Sequence, residues 1–406
     1  MAIRKYKRTS IFSELFLVLC IILCLFLYEL LASFGFSYTD EIVCALLLGY
    51  LLIILIDGQE FGAKMLHAFY VVVGVLFFYY VYSWILSINP NSITTSFIIH
   101  IKPFLTFFSV CLIDICLDRG CKQRLTKLVF VVSVSCLAIV VMGYFEGVAF
   151  FRHPAFFAMT MTCLALYYQF LAKPTKRNTY ISIAILAVGL LSLRMKAVGF
   201  FIVYVFVMLF FKQKLRFKFN VRNTLVMLVA LGVMFYFAKE KIDFYFLNPY
   251  REGSLDSAAR AMLYLTMPHI LFDYFPFGPG FGTYADYGSA INYSPIYYNY
   301  HLDEVFGLSP EYGNFICDAF YPDLAQFGIV GICLFLYFWW WIYQLLKRNF
   351  ANNGDARLYK IGLLIIIYML IESTTANTFV QAQGLMLMIL LALVINEGKY
   401  KQSGVQ

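Results

Sequence analysis

Charge is what this chain has least of. Asp, Glu, Lys and Arg make up 13% of its 406 residues, about half of the ~25% usual for a soluble domain. That shortage excludes a surface bathed in water on all sides. Cysteines in a position to pair are lacking too. Cys20, Cys24, Cys44, Cys111, Cys116, Cys136, Cys163 and Cys333 fall inside apolar runs, Cys121 in a basic connection, and Cys317 near the opposite side alone. A disulfide framework is therefore excluded, and no ligand spacing marks a zinc site. Period-two alternation over ten-residue stretches is missing, which excludes a membrane β-barrel. The basic clusters are too short and scattered for nucleic acid.

Apolar residues are abundant: 62% hydrophobic and 19% aromatic, with a mean hydropathy of +0.77. Runs near twenty apolar residues read as bilayer-spanning helices. Twelve are expected, near 11–34, 39–57, 65–88, 96–117, 125–145, 155–172, 179–193, 197–211, 223–238, 324–346, 358–375 and 378–396. The fold class is thus an all-α polytopic membrane protein, one integral domain over residues 1–406. The seventh and eighth spans are short and form a tight pair. The first is too long for a signal-peptide core and reads as an uncleaved anchor.

Lys and Arg in short connections set the orientation. With the N-terminus (Arg4, Lys5, Lys7, Arg8) in the cytoplasm, 23 of the 31 basic residues fall on that side, Lys64, Arg119, Lys347 and Lys399 among them. An even number of spans then puts both termini inside. Eight cations remain outside: Lys102, Arg152, Arg194, Lys196, Lys239, Lys241, Arg251 and Arg260. Charge at a membrane boundary costs free energy unless it is paired or used, so these eight are the informative ones.

Arg194 and Lys196 share a Leu-Arg-Met-Lys-Ala turn with no acid beside it. Arg offers a planar fork for phosphate oxygens and Lys a compact charge, so the turn is a candidate anion site; the bland alternative is snorkelling to headgroups. Arg152-His153-Pro154 opens the sixth span on the same side, with Arg152 a second anion contact and His153 a capping or packing residue. Residues 239–317 form a large outer loop, which a compact membrane protein seldom keeps without using it. It opens with a short amphipathic helix in which Asp256 is the expected cap and Pro268 the expected bend or end. Leu263, Tyr264 and Met267 share a face there with Arg260. This helix either lies on headgroups or holds Arg260 at the mouth of a cavity.

Phe-Gly-Pro-Gly-Phe-Gly follows, with Gly278, Gly280 and Gly282. No strand precedes it and no Lys-Ser/Thr follows, so it reads as a tight turn and not a nucleotide loop. Eight tyrosines then run from Tyr284 to Tyr321. Their flat faces and polar tips suit sugars, or equally an interfacial belt. Asp323 reads as an N-cap. Asp318, set among Phe315, Ile316, Phe320 and Tyr321, is the candidate base, because apolar surroundings raise a carboxyl's pKa. Glu14, Glu29, Asp114 and Glu372 lie within spans without an i, i+4 series.

The Arg-X-Lys turn at 194–196, the loop from Arg260 to Pro276-Phe-Gly-Pro-Gly-Phe-Gly282, and Cys317-Asp-Ala-Phe-Tyr-Pro-Asp323 ahead of Gly328-Ile-Val-Gly331 together resemble the O-antigen polymerase and ligase superfamily. The likeness is greatest to Wzy-type polysaccharide polymerases. It extends in topology over nearly the whole chain, and its motifs are loose. The resemblance implies a membrane glycosyltransferase of the bacterial cytoplasmic (inner) membrane that uses a polyprenyl-diphosphate-linked oligosaccharide, with no cofactor and no metal. Its catalytic residues would be Asp318 and Arg260, and its substrate-binding residues Arg194, Lys196, Arg152, His153, Tyr264 and Tyr321. Membrane lipid and a chain-length regulator are further candidate partners. Ligases of the superfamily carry a His ahead of the Gly-X-X-Gly span. Here the neighbourhood reads Cys317-Asp318, which disfavours a ligase and leaves the identity of the base open. A lipid-linked oligosaccharide flippase or secondary transporter is the remaining alternative, although no internal repeat of the kind transporters carry is visible.

Overall fold

The computed structural model describes residues 2–58, 61–86, 89–115, 117–143, 150–211, 232, 239 and 259–400. Among these, all regular structure is helical. α1 (Ala2–Cys20) runs through a π-helical segment (Ile21–Phe26) into α2 (Tyr28–Ser33), so the first apolar run is three helical pieces. Then come α3 (Thr39–Ile56), α4 (Ala63–Ile85), α5 (Pro90–Ile113), α6 (Arg119–Gly143), α7 (Pro154–Leu171), α8 (Lys176–Val188) and α9 (Met195–Phe210). Beyond α9, α10 (Ala259–Asp273), α11 (Tyr287–Ile291) and α12 (Pro295–Asn299) fall in the stretch expected as the outer loop. α13 (Phe320–Asp323) leads back through a 3₁₀ turn into α14 (Gly328–Asn353), α15 (Ala356–Glu372) and α16 (Ala382–Tyr400).

Among the described residues, seven helices are long and apolar enough to cross a membrane: Thr39–Ile56, Ala63–Ile85, Pro90–Ile113, Arg119–Gly143, Pro154–Leu171, Phe320–Asn353 and Ala382–Lys399. The chain therefore has the make-up of a multi-pass helical membrane protein. Of the other expected spans, Ile11–Phe26 and Met195–Phe210 are shorter apolar helices. α8 and α15 have 13 and 17 residues, against the ~20 that a straight crossing takes. The expected ninth span, 223–238, lies outside the described residues, as do Lys241, Arg251 and the proposed cap Asp256.

Local signals set the boundaries. Pro90 and Pro154 sit in first turns, where a missing N–H costs nothing, behind Asn89 and His153, whose side chains accept from Asn91 N and Ala155 N. Gly354, at φ +67°, ends α14, and Asp355 caps α15 through Arg357 N and Leu358 N. Helix ends hold one another: Asn396 donates to Val110 O at 2.9 Å in the last turn of α5, and Arg357 to Ala172 O at 3.0 Å, the latter a terminal carbonyl that α7 itself leaves unpaired. α5 and α16 pack along each other as inner helices, while α4 lies at the periphery. Lys102 of α5 is buried, 2.6 Å from Asp40 and 2.5 Å from Glu41 of α3. One of the eight outlying cations is thus a structural ion pair between helices.

The loop has its own core, built from Leu263, Ile270, Tyr284, Tyr297, Leu302 and Ile316. Pro268, expected to bend or end the first loop helix, lies inside α10, which continues to Asp273. The Gly-rich turn is wedged into the membrane helices. A Cβ on Gly278 would stand 2.4 Å from Gly328 N, and one on Gly280 2.6 Å from Ser83 Oγ of α4; both glycines have positive φ. Phe281 N donates to Ser83 Oγ at 2.7 Å and Gly282 N to Gln326 Oε1 at 2.8 Å. Gln326 in turn bonds Asp323, which pairs with His100 of α5 at 2.9 Å. Asp323 is therefore no simple helix cap: it is fully buried and ties the end of the loop to α5.

Candidate functional site

Four chain segments meet at one end of the helices. The α8–α9 turn brings Arg194 and Lys196. Its geometry comes from a 3₁₀ turn (Gly189–Ser192) and Leu193 at φ +53°, after which Arg194 is the N-cap of α9. The start of α10 brings Arg260, and the stretch before α13 brings Asp318. The end of α15 brings Glu372. Arg260 forms an ion pair with Asp318, and Lys196 Nζ lies 2.5 Å from Glu372 Oε1. Arg194, Lys196 and Arg260 all act electrostatically on Asp318. Three cations and two carboxylates thus share one cluster, though they come from positions up to 178 residues apart, Arg194 to Glu372.

Tyrosine hydroxyls hold the segments together. Tyr264 of α10 donates to Thr374 O and Tyr321 to Leu370 O, each at 2.7 Å, and Phe320 N donates to Ser373 O at 3.2 Å. Both candidate substrate-binding tyrosines are at the cluster, but their hydroxyls are spent on backbone carbonyls beyond α15 and at its end. What they offer a ligand is ring surface. Arg194 lies against His153, with Nη2 2.5 Å from Nε2 and 3.0 Å from Nδ1. His153 Nδ1 also accepts from Ala155 N at 3.3 Å. Partial burial and then the Arg194 charge push the His153 pKa below its ordinary value, so the ring is a neutral acceptor beside the guanidinium. Arg152 is set apart in an exposed, positive-φ position, where its charge acts on buried Glu29 of α2.

The Asp318 carboxyl is pushed above its ordinary pKa. Burial is the main cause, opposed by Arg260, Lys196 and Arg194 in that order. Asp318 is thus a carboxylate made more basic by desolvation and kept ionisable by cations. It is also engaged: Arg260 donates to it.

The tyrosine run divides. Tyr284 and Tyr297 are fully buried and stacked at 5.9 Å, with hydroxyls that serve the loop's own backbone. Tyr293 donates to Leu308 O and Tyr300 to Asp273. These four build the loop; Tyr287, Tyr298 and Tyr312 are the exposed ones. Glu372, one of four acids within spans to which the sequence assigns no site role, is in the structure the partner of Lys196. The signal that could have found it is an acid at the end of an apolar helix followed by Ser373, Thr374 and Thr375, since charge at that depth calls for a partner.

Comparison with protein-family models, with curated proteins and with solved structures gives no match. The functional reading rests on the residues themselves.

Proposed function

We propose that this chain is a twelve-span polymerase with both termini in the cytoplasm. It would join polyprenyl-diphosphate-linked oligosaccharide repeat units on the outer face of a bacterial cytoplasmic membrane. The observation that carries this reading is the convergence of Arg194, Lys196 and Arg260 on Asp318. Three cations in one partly buried cluster suit a diphosphate, and a desolvated carboxylate beside them suits a hydroxyl.

In the reaction, an acceptor sugar hydroxyl attacks the anomeric carbon of the donor glycan. Its oxygen forms the new glycosidic bond as the bond from the anomeric carbon to the diphosphate oxygen breaks. The electron pair leaves with the polyprenyl diphosphate, and the hydroxyl proton passes to Asp318. Donor binding prepares that step, because a diphosphate competes for Arg260 and frees the carboxylate it had held. Preorganised positive charge then stabilises the leaving group as its own charge grows.

The test is reconstitution of the purified chain with lipid-linked repeat units and no other acceptor. Polymer should form, and Arg260→Ala should abolish it at unchanged protein level. Normal polymer lengths from that variant would end the mechanism. One observation favours a second reading: the Lys102–Asp40–Glu41 group, with Lys102 and Asp40 buried, is the kind of intramembrane charge that transporters use. Cells lacking the chain separate the two. A missing flippase leaves single repeat units inside the membrane, a missing polymerase leaves them outside.

A further inference from the structure

A cavity of 470 Å³ lies between α4 and α14, backed by α5. Its walls are apolar along most of their length, with Val72 and Leu76 on one side, Leu334 and Phe338 on the other, and Phe104 and Phe108 behind. On α4 it extends from Lys64 to Tyr79, about 22 Å of helix, which is most of a ~30 Å hydrocarbon layer. Both flanking helices are of membrane-crossing length and apolarity.

The two ends of this cavity differ. At the Tyr79 end there is no place for a polar group. Tyr79 donates to Phe327 O at 2.8 Å, and His100 spends one ring nitrogen on Asp323 and the other on Ser96 O, at 2.9 and 2.8 Å. The Phe327 ring, 5.4 Å from that of Tyr79 and 5.3 Å from that of His100, packs against both and closes this end. The other end opens on Lys64 and His67, one helical turn apart and both exposed. Among the described residues Lys64 enters no ion pair.

We propose that this groove holds one hydrocarbon chain of an anionic phospholipid whose phosphate sits at Lys64 and His67. The apolar length takes the chain, the cationic end selects the headgroup's sign, and the sealed aromatic end sets how deep the chain reaches. The lipid enters from the side opposite to the Arg194–Arg260 cluster. The site is therefore separate from the donor site, and this inference stands whether or not the chain is a polymerase.

The full-length protein in lipid nanodiscs, doped with phosphatidylglycerol carrying a photoreactive group on one acyl chain, tests it. Label should concentrate on peptides of α4 and α14. Lys64→Glu should lower it there at least several-fold while label on other lipid-facing helices stays constant. Val72→Trp, which fills the groove, should do the same without touching the charged end; size-exclusion profiles show whether each variant is folded. Phosphatidylcholine carrying the same group should label the groove weakly. Equal labelling by the two lipids, label spread evenly over all exposed helices, or a photoreactive polyprenyl phosphate that outcompetes phosphatidylglycerol for the groove would each overturn the proposal.

Discussion

Arg260 and Asp318 hold each other, so in the proposed reaction each has two roles that substitution separates. Arg260→Lys keeps a charge but loses the planar fork, and should retain a small fraction of the activity that Arg260→Ala lacks. Asp318→Asn removes the proposed base and, if the proposed polymerisation holds, should lower the rate by about 10²–10⁴-fold, read as polymer formed per unit time from lipid-linked repeats. The pH dependence has a definite sign. A carboxyl whose folded-state pKa is raised stays protonated to higher pH, and a protonated Asp318 cannot take a proton. The acid limb of the rate profile should therefore lie above the ordinary aspartate range near 3.9. Arg194 is one of the cations that oppose the raising, so Arg194→Gln should move that limb to higher pH. A limb that stayed in place would remove Asp318 as the base. Stability follows the same linkage. Between the unfolded and the raised folded value the native state binds more protons, so this group's contribution to stability falls as pH rises through that window. Lys102 presents a simpler case. Lys102→Met would leave the buried Asp40 beside the half-buried Glu41 without their cation, a loss of about 3–5 kcal/mol, measured as a lower unfolding midpoint in detergent.

Among the elements, the Gly-rich turn joins the 259–319 segment to the apolar helices. Gly278→Ala would drive a Cβ into the backbone of Gly328 and strain a positive φ at once. It should cost roughly 2–4 kcal/mol, seen as a lower melting temperature with polymerisation lost in parallel. Ser83→Ala, which removes only the hydroxyl that receives Phe281 N, should cost about 1–3 kcal/mol. Sequence made the turn legible, because glycines in that spacing admit few other uses, but not its partners. α4 lies far away along the chain, and its contribution is an ordinary serine and tyrosine, Ser83 and Tyr82, the latter donating to Gly278 O at 3.0 Å. The same limit explains Asp323. A carboxylate ahead of an apolar run is most often a cap, and only the packing of α5 beside it supplies His100. The tyrosine run misled for another reason. Tyr is amphipathic, so composition does not separate a ring that stacks in a small core, as Tyr284 and Tyr297 do, from one that waits for a ligand. Arg194, Lys196, Arg260 and Asp318, by contrast, were legible as charges out of place, since a lipid environment makes each one costly.

At the scale of the whole molecule, the cation cluster is a claim about sidedness. Arg194 and Arg260 can act on one diphosphate only if the α8–α9 turn and the start of α10 face the same compartment. The helices on either side constrain that less than a soluble core would. α8 and α9 are shorter than a full crossing, and the chain between α9 and α10 lies outside the described residues. The side-chain contacts constrain it more. Arg194 reaches His153 ahead of α7, Lys196 reaches Glu372 at the end of α15, and Arg260 reaches Asp318. Three independent returns of the chain therefore end in one place. Cysteine labelling in a cysteine-depleted background tests this directly. Leu193→Cys and His301→Cys, both exposed, should react with a membrane-impermeant maleimide from the outside of intact spheroplasts. Lys64→Cys and Asn352→Cys, near the ends of α4 and α14 that carry the positive-inside charge, should react only after permeabilisation. Labelling of positions 193 and 301 from opposite compartments would separate the cations that the mechanism needs together. Inversion of all four positions would leave the cluster intact but place it in the cytoplasm, where a donor already moved outward is out of reach.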